Sequence, residues 1–172
     1  ARHAGVCAFL LGLEDFTVSH RCDLDGRTAL HWAAEAGHLA VCCALLESPS
    51  LAVEGLTSDG QGSTALHYAA QGGHKALCEE LVRRARPGQV AARKAVTGET
   101  ALHLAAAEGL VAACRMLLVR VQTEAPEALH ARAFDGMTAL HYAAVGGHAE
   151  VCRGMLRGGA DRSLRDVRGR TA

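Results

Sequence analysis

One tetrapeptide, Thr-Ala-Leu-His, occurs four times at near-constant spacing, and this repetition restricts the possible folds more than any other feature. The copies begin at Thr28, Thr64, Thr100 and Thr138, which are 36, 36 and 38 residues apart. A fifth Thr-Ala, Thr171–Ala172, follows 33 residues later. Agreement extends well beyond the tetrapeptide. Glycine stands two residues before each Thr, at Gly26, Gly62, Gly98, Gly136 and Gly169. Gly37, Gly73, Gly109 and Gly147 come nine residues after it, and Cys42, Cys78, Cys114 and Cys152 five beyond those. Leu45–Leu46, Leu81–Val82, Leu117–Leu118 and Met155–Leu156 close the units.

Each unit reads as turn, helix, turn, helix. Asp25-Gly26 is a turn signal. Thr28 stands where a helix N-cap belongs. Leu30, Ala33 and Ala34 form a short apolar stripe, and Gly37 ends the first helix. A second helix runs from His38 to Leu46, with Val41, Cys42, Leu45 and Leu46 on one side. Helices this short are marginal alone in water, so each pair must bury its stripe against the next pair. The paired alanines Ala33–Ala34, Ala69–Ala70, Ala105–Ala106 and Ala143–Ala144 allow that close approach.

Thr-Ala-Leu-His-x-Ala-Ala followed by Gly-His resembles the ankyrin repeat signature, with Ala29, Ala65, Ala101 and Ala139 in place of the usual proline. The resemblance covers nearly the whole chain. It implies an all-α solenoid of stacked helix-turn-helix units joined by β-hairpin-like turns. Full repeats are expected at about 23–58, 59–94, 95–132 and 133–165, with partial repeats at 1–22 and 166–172. His3, Val6, Cys7, Leu10 and Leu11 align with the second half of a unit, so further repeats are expected on both sides. Gly109 is followed by Leu110 where other units have His. The first three full units carry longer connectors holding Pro49, Pro87 and Pro126.

The resemblance implies a protein-interaction module that binds a partner through its concave face, as scaffold or adaptor. An alternative is a regulatory or targeting segment of a larger enzyme, channel or ubiquitin-ligase receptor. The turn positions implied to contact the partner are Asp25, Arg27, Gln61, Ser63, Thr97, Glu99, Asp135 and Met137. The helix-end positions are Glu35, Gln71, Glu108 and Val145. The resemblance also implies that His31, His67, His103 and His141 bond the Thr at the helix start and nearby backbone. Trp32, Tyr68, Leu104 and Tyr142 share one offset, which suits packing between units or an exposed aromatic ladder.

Ten His and seven Cys raise a metal hypothesis. His38–Cys42, His74–Cys78 and His148–Cys152 have i,i+4 spacing, yet each pair offers only two ligands, and the Cys lies on the apolar stripe. No metal or other cofactor is expected. Cys43, where other units have Glu79, Arg115 and Arg153, is expected to face solvent. The glycines serve repeat boundaries, and no nucleophile elbow or phosphate loop occurs, so the segment is not read as an enzyme. Acidic and basic residues balance at 18 each and aromatics are 3%, which argues against nucleic acid. No apolar run is long enough to span a membrane. An odd cysteine count inside helical repeats suits a cytoplasmic or nuclear chain. Arg153, Arg157, Arg162, Arg165, Arg168 and Arg170 form a late basic cluster, read as a solvated face or a dock for an acidic peptide.

Overall fold

The computed structural model describes residues 22–47, 58–86 and 88–172. Eight α-helices occur among them, in four pairs. The pairs are α1 (Ala29–Glu35) with α2 (Leu39–Glu47), and α3 (Ala65–Gln71) with α4 (Lys75–Arg84). They continue with α5 (Ala101–Ala107) and α6 (Val111–Glu124), then α7 (Ala139–Val145) and α8 (Ala149–Arg157). First helices pack on first helices, α1 on α3, α3 on α5 and α5 on α7. Second helices pack likewise, α2 on α4, α4 on α6 and α6 on α8. This is the expected all-α stack. Residues 1–21 lie outside the described region, and with them nearly all of the first partial repeat. Residues 48–57 and Pro87 lie outside it too.

Each first helix starts the same way for the same reason. Thr28, Thr64, Thr100 and Thr138 hold extended backbone at the N-cap, with φ between −89° and −100°. The residue three positions on closes a capping box, a role usually taken by Glu or Gln. Here it is His31, His67, His103 or His141. The turn before each cap is hairpin-like, with antiparallel bridges at Cys22–Thr28, Arg93–Thr100 and Arg165–Thr171.

The core is a single strip running between the two helix layers. Leu30, Leu66, Leu102 and Leu140 meet Leu45, Leu81, Leu117 and Met155 within it, all buried. Ala34, Ala70 and Ala106 have no exposed surface, because the first helix of the next unit lies directly against them. Ala144, at the same offset in the last unit, is exposed. The second and third of the longer connectors contain 3-10 turns at Gln89–Ala91 and Pro126–His130, each burying one apolar side chain, Val90 and Leu129. Cys42, Cys78 and Cys114 sit fully inside the strip, and burial pushes each thiol up to about 12.

The second layer has its own ties. Arg120 of α6 donates to the carbonyls of Val82 and Ala85, at 2.7 and 2.8 Å, and so caps the C-terminal end of α4. The Gln122 amide donates to the Gly158 carbonyl at 2.6 Å.

Two of the Gly-His imidazoles, His74 and His148, reach backward. His74 Nε2 bonds the Glu35 carbonyl at 2.9 Å, and His148 Nε2 bonds the Ala107 carbonyl at 2.8 Å. The His148 ring lies so close that a Cβ on Gly109 or Gly146 would come within 2.5 to 2.6 Å of it. Leu110 occupies this position in the third full unit and cannot make the bond, but it is buried. His148→Ala is therefore expected to cost about 1–2 kcal/mol in urea unfolding. His148→Leu should recover part of that, because apolar burial replaces the bond as it does at Leu110. Equal midpoints for His148→Ala and the parent chain would refute the role of this bond.

Candidate interaction surface

The site is built on the turn tips and the first-helix layer. Neighbouring tips are joined by backbone hydrogen bonds. Gly60 N–H donates to Asp25 O at 2.9 Å, Ala95 N–H to Gln61 O at 2.7 Å, Phe134 N–H to Thr97 O at 2.8 Å and Val167 N–H to Asp135 O at 3.2 Å. These bonds fix the tips side by side, so Asp25, Gln61, Thr97, Asp135 and Arg168 form one row. Within a tip, the carboxylate of Asp59 accepts the N–H groups of Gln61 and Ser63, both at 2.8 Å, in an Asx-type turn. Burial alone would raise the Asp59 pKa, but the bonds from Tyr68, Ser63 and Gln61 together hold it below the usual carboxylate range.

The motif histidines set the spacing between units. His67 Nδ1 accepts the Thr64 N–H at 3.1 Å, and its Nε2 lies 3.1 Å from the Ala92 carbonyl. A backbone N–H only donates and a carbonyl only accepts, so the neutral Nε2–H tautomer alone satisfies both. His31, His103 and His141 repeat the arrangement, reaching the carbonyls of Ser63, Ala131 and Arg170 at 3.1 to 3.2 Å. The resemblance implied the bond to Thr. The second bond joins each unit to the next turn and holds the tip row against the helix layer.

Of the residues expected to contact a partner, Asp25, Glu35, Gln61, Gln71, Glu108, Asp135 and Val145 are exposed. Thr97, Glu99, Arg27 and Met137 are half-buried. Thr97 donates to Glu99 at 2.8 Å, and Glu99 also accepts the Tyr142 hydroxyl at 2.9 Å. Ser63 is a correction. It is 2% exposed, because its N–H turns inward to Asp59 and its carbonyl takes the His31 bond. It belongs to the frame and offers no contact surface.

The residues sharing the Trp32 offset divide. Leu104 is buried. Tyr68 and Tyr142 stand edge-on to His31 and His103 of the preceding units, with ring centroids 5.8 and 5.3 Å apart. Their hydroxyls donate to Asp59 at 2.7 Å and Glu99 at 2.9 Å, so they pack between units with polar tips outward. Trp32 stays 52% exposed and donates to Asp23 at 3.0 Å. The Arg27 guanidinium lies between Trp32 and Tyr68, 3.8 and 4.4 Å from the ring centroids, and also pairs with Glu35.

The sequence reading missed one row. Leu24, Val96, Phe134 and Val167 all stand four residues before the motif Thr, and each is at least 66% exposed. Their common offset was visible, but an apolar residue in a turn carries no sign of its orientation until the tip ladder fixes it.

Models for ankyrin repeats match residues 25–53, 51–128 and 135–167. The chain belongs to the ankyrin repeat family. No curated protein sequence matches it. Among solved structures it is similar to the ankyrin repeat domain of Bcl-3, described as a unique member of the IkappaB protein family. That likeness has a TM-score of 0.70 at 26% identity, and covers 98% of this chain and 70% of the other. Ankyrin repeats are generally protein-interaction modules without catalytic function, and the Bcl-3 domain fits that pattern. Among the described residues no three His, Cys, Asp or Glu side chains come together to hold a metal, and no helix is long and apolar enough to cross a membrane. The Gly-His imidazoles at His74 and His148 instead spend their Nε2 atoms on carbonyls. Cys43, expected to face solvent, is half-buried.

Proposed function

We propose that this array binds a partner protein through the surface made by its turn tips and first helices, as a scaffold or adaptor. One observation carries the reading. The tips are locked into a continuous row by backbone bonds, yet their side chains differ from unit to unit and leave apolar groups in solvent. A fixed frame with variable, partly apolar contacts is the surface that solenoids use for recognition. The contact set comprises Asp25, Glu35, Gln61, Gln71, Glu108, Asp135 and Val145, flanked by Arg27, Thr97, Glu99 and Met137.

The unit limits at about 58, 94, 132 and 165 belong to this proposal. So does a further unit after Thr171. Its support is the last turn, which bridges Arg165 to Thr171 and supplies the Arg170 carbonyl to His141, as earlier turns do. A cytoplasmic or nuclear setting is supported by the six described cysteines, all free thiols.

Site-specific photo-crosslinking in cells tests the surface. A photoreactive residue at Gln71 or Val145 is expected to trap partner protein, while one at Val119 on the second-helix layer traps little. Crosslinks at Val119 equal to those at Gln71 and Val145 would overturn the assignment of the face.

A further inference from the structure

The charge on this surface is not evenly spread. At the first described turn and helix, residues 22–36, Asp23, Asp25 and Glu35 outnumber Arg27. The aromatic face of Trp32 lies beside them, half open to solvent. At the other end, residues 165–172, Arg165, Arg168 and Arg170 outnumber Asp166. Arg170 is held by Asp166 at 2.7 Å, and the Arg165 guanidinium donates to the Gly169 carbonyl at 2.6 Å, so Arg168 stands exposed at the row position that Asp25 holds at the far end. The turns between are close to neutral. Lys94 lies 3.8 Å from Glu99, and the Arg93 guanidinium donates to the Arg132 carbonyl near Asp135. Val96 and Phe134 protrude there.

The row therefore runs acidic, apolar, basic. The chain as a whole carries formal net charge +0, so this is segregation along one surface and not a bulk excess. The Trp32 end already holds a cation. Arg27 is bracketed by two rings and a carboxylate there, which displays the chemistry that a second guanidinium or ammonium would meet at the exposed part of Trp32.

We propose that the partner presents an extended, charge-polarised segment to this row. It is cationic where it meets Asp25 and Glu35, apolar over Val96 and Phe134, and anionic at Arg168. The inference rests on the proposed interaction surface and specifies what that surface selects. Electrostatic complementarity of this kind fixes register and rejects partners of the wrong polarity. Its length follows from packing. First helices stacked at roughly 8–10 Å put the end turns, four steps apart, about 32–40 Å from one another. An extended chain rising about 3.3 Å per residue needs about 10–12 residues to span that distance.

The test uses two labelled synthetic peptides of identical composition. One has four Arg, eight alternating Val and Ser, and four Glu in blocks. The other has the same residues with charges interleaved. Anisotropy reports binding, and Trp32, the sole tryptophan, reports contact at the acidic end. The block peptide is expected to bind at least about tenfold more tightly, because both ends engage at once. Asp25→Arg combined with Arg168→Asp should erase that preference. Both side chains are exposed, and circular dichroism verifies the fold of the variant. Equal binding of the two peptides, no binding of either up to about 1 mM, or an unchanged preference in the double variant would overturn the polarity. Crosslinking at Gln71 and Val145 with equal peptide binding would leave the surface standing and remove only its polarity.

Discussion

Replacing His67 by alanine is expected to destabilise the array by about 3 kcal/mol or more at pH 7.5, among the largest effects available to one side chain here. The ring is 1% exposed and links three groups, the Thr64 N–H and hydroxyl at the helix start and the Ala92 carbonyl beside the next turn. Its loss leaves the Thr64 N–H and the Ala92 carbonyl without partners, each worth about 1–3 kcal/mol, and opens a cavity. The effect depends on pH with a definite sign. Burial lowers the His67 pKa to about 4. The unfolded chain, with a value of about 6.5, takes the proton first. The stability that the neutral ring supplies is therefore complete above about pH 6.5 and drains away as pH falls towards about 4. At roughly 1.4 kcal/mol per pH unit, the gap amounts to about 3 kcal/mol. His103 is shifted in the same direction, chiefly by burial. Urea unfolding of parent and His67→Ala at pH 7.5 and 4.5 checks this. The difference between them should shrink sharply at the lower pH. A difference that stays constant would mean that the ring titrates as it does in the unfolded chain and that its contribution does not depend on the neutral form.

The same histidine shows how much of the fold is legible in the sequence. The resemblance to ankyrin repeats implied that this ring bonds the Thr at the helix start and nearby backbone. The fold followed from local signals that agree with one another: Thr at the cap, an apolar stripe, paired alanines and a closing glycine. The partner of Nε2 was not legible. The carbonyls of Ser63, Ala92, Ala131 and Arg170 lie 32, 25, 28 and 29 residues downstream, and a backbone atom leaves no mark in the residue alphabet. The Arg120 cap on α4 was hidden for the same reason.

The candidate surface was less legible than the fold. Repetition separates frame from variation, but it does not tell which variable positions face solvent. Ser63 varies like its neighbours and is buried, because an Asx-type turn draws its N–H inward. Leu24 and Phe134 look like core by composition and are exposed, because they stand in the turns and outside the strip buried between the helices. In each case backbone geometry overrides the ordinary preference of the side chain.

That geometry gives the second large effect. Gly62→Val is expected to cost about 3 kcal/mol or more and to disrupt the tip row. Gly62 has φ +75°, a region that a residue bearing a Cβ enters at a cost of about 1–2 kcal/mol. A Cβ there would also stand 2.7 Å from the Arg93 carbonyl oxygen and 3.3 Å from the Ala95 nitrogen. Those are backbone atoms, and Ala95 is bonded to the Gln61 carbonyl, so the neighbour cannot yield without breaking the link between adjacent tips. Gly159 is the control. Its φ is +88°, but a Cβ would meet nothing within 4 Å, so Gly159→Val bears the conformational cost alone. Thermal unfolding of the two variants separates strain from collision. Hydrogen exchange at the Ala95 amide should rise in Gly62→Val and stay protected in Gly159→Val. Equal destabilisation of the two variants would show that the tips are not clamped together. The row on which both the proposed surface and its polarity depend would then be a loose set of loops.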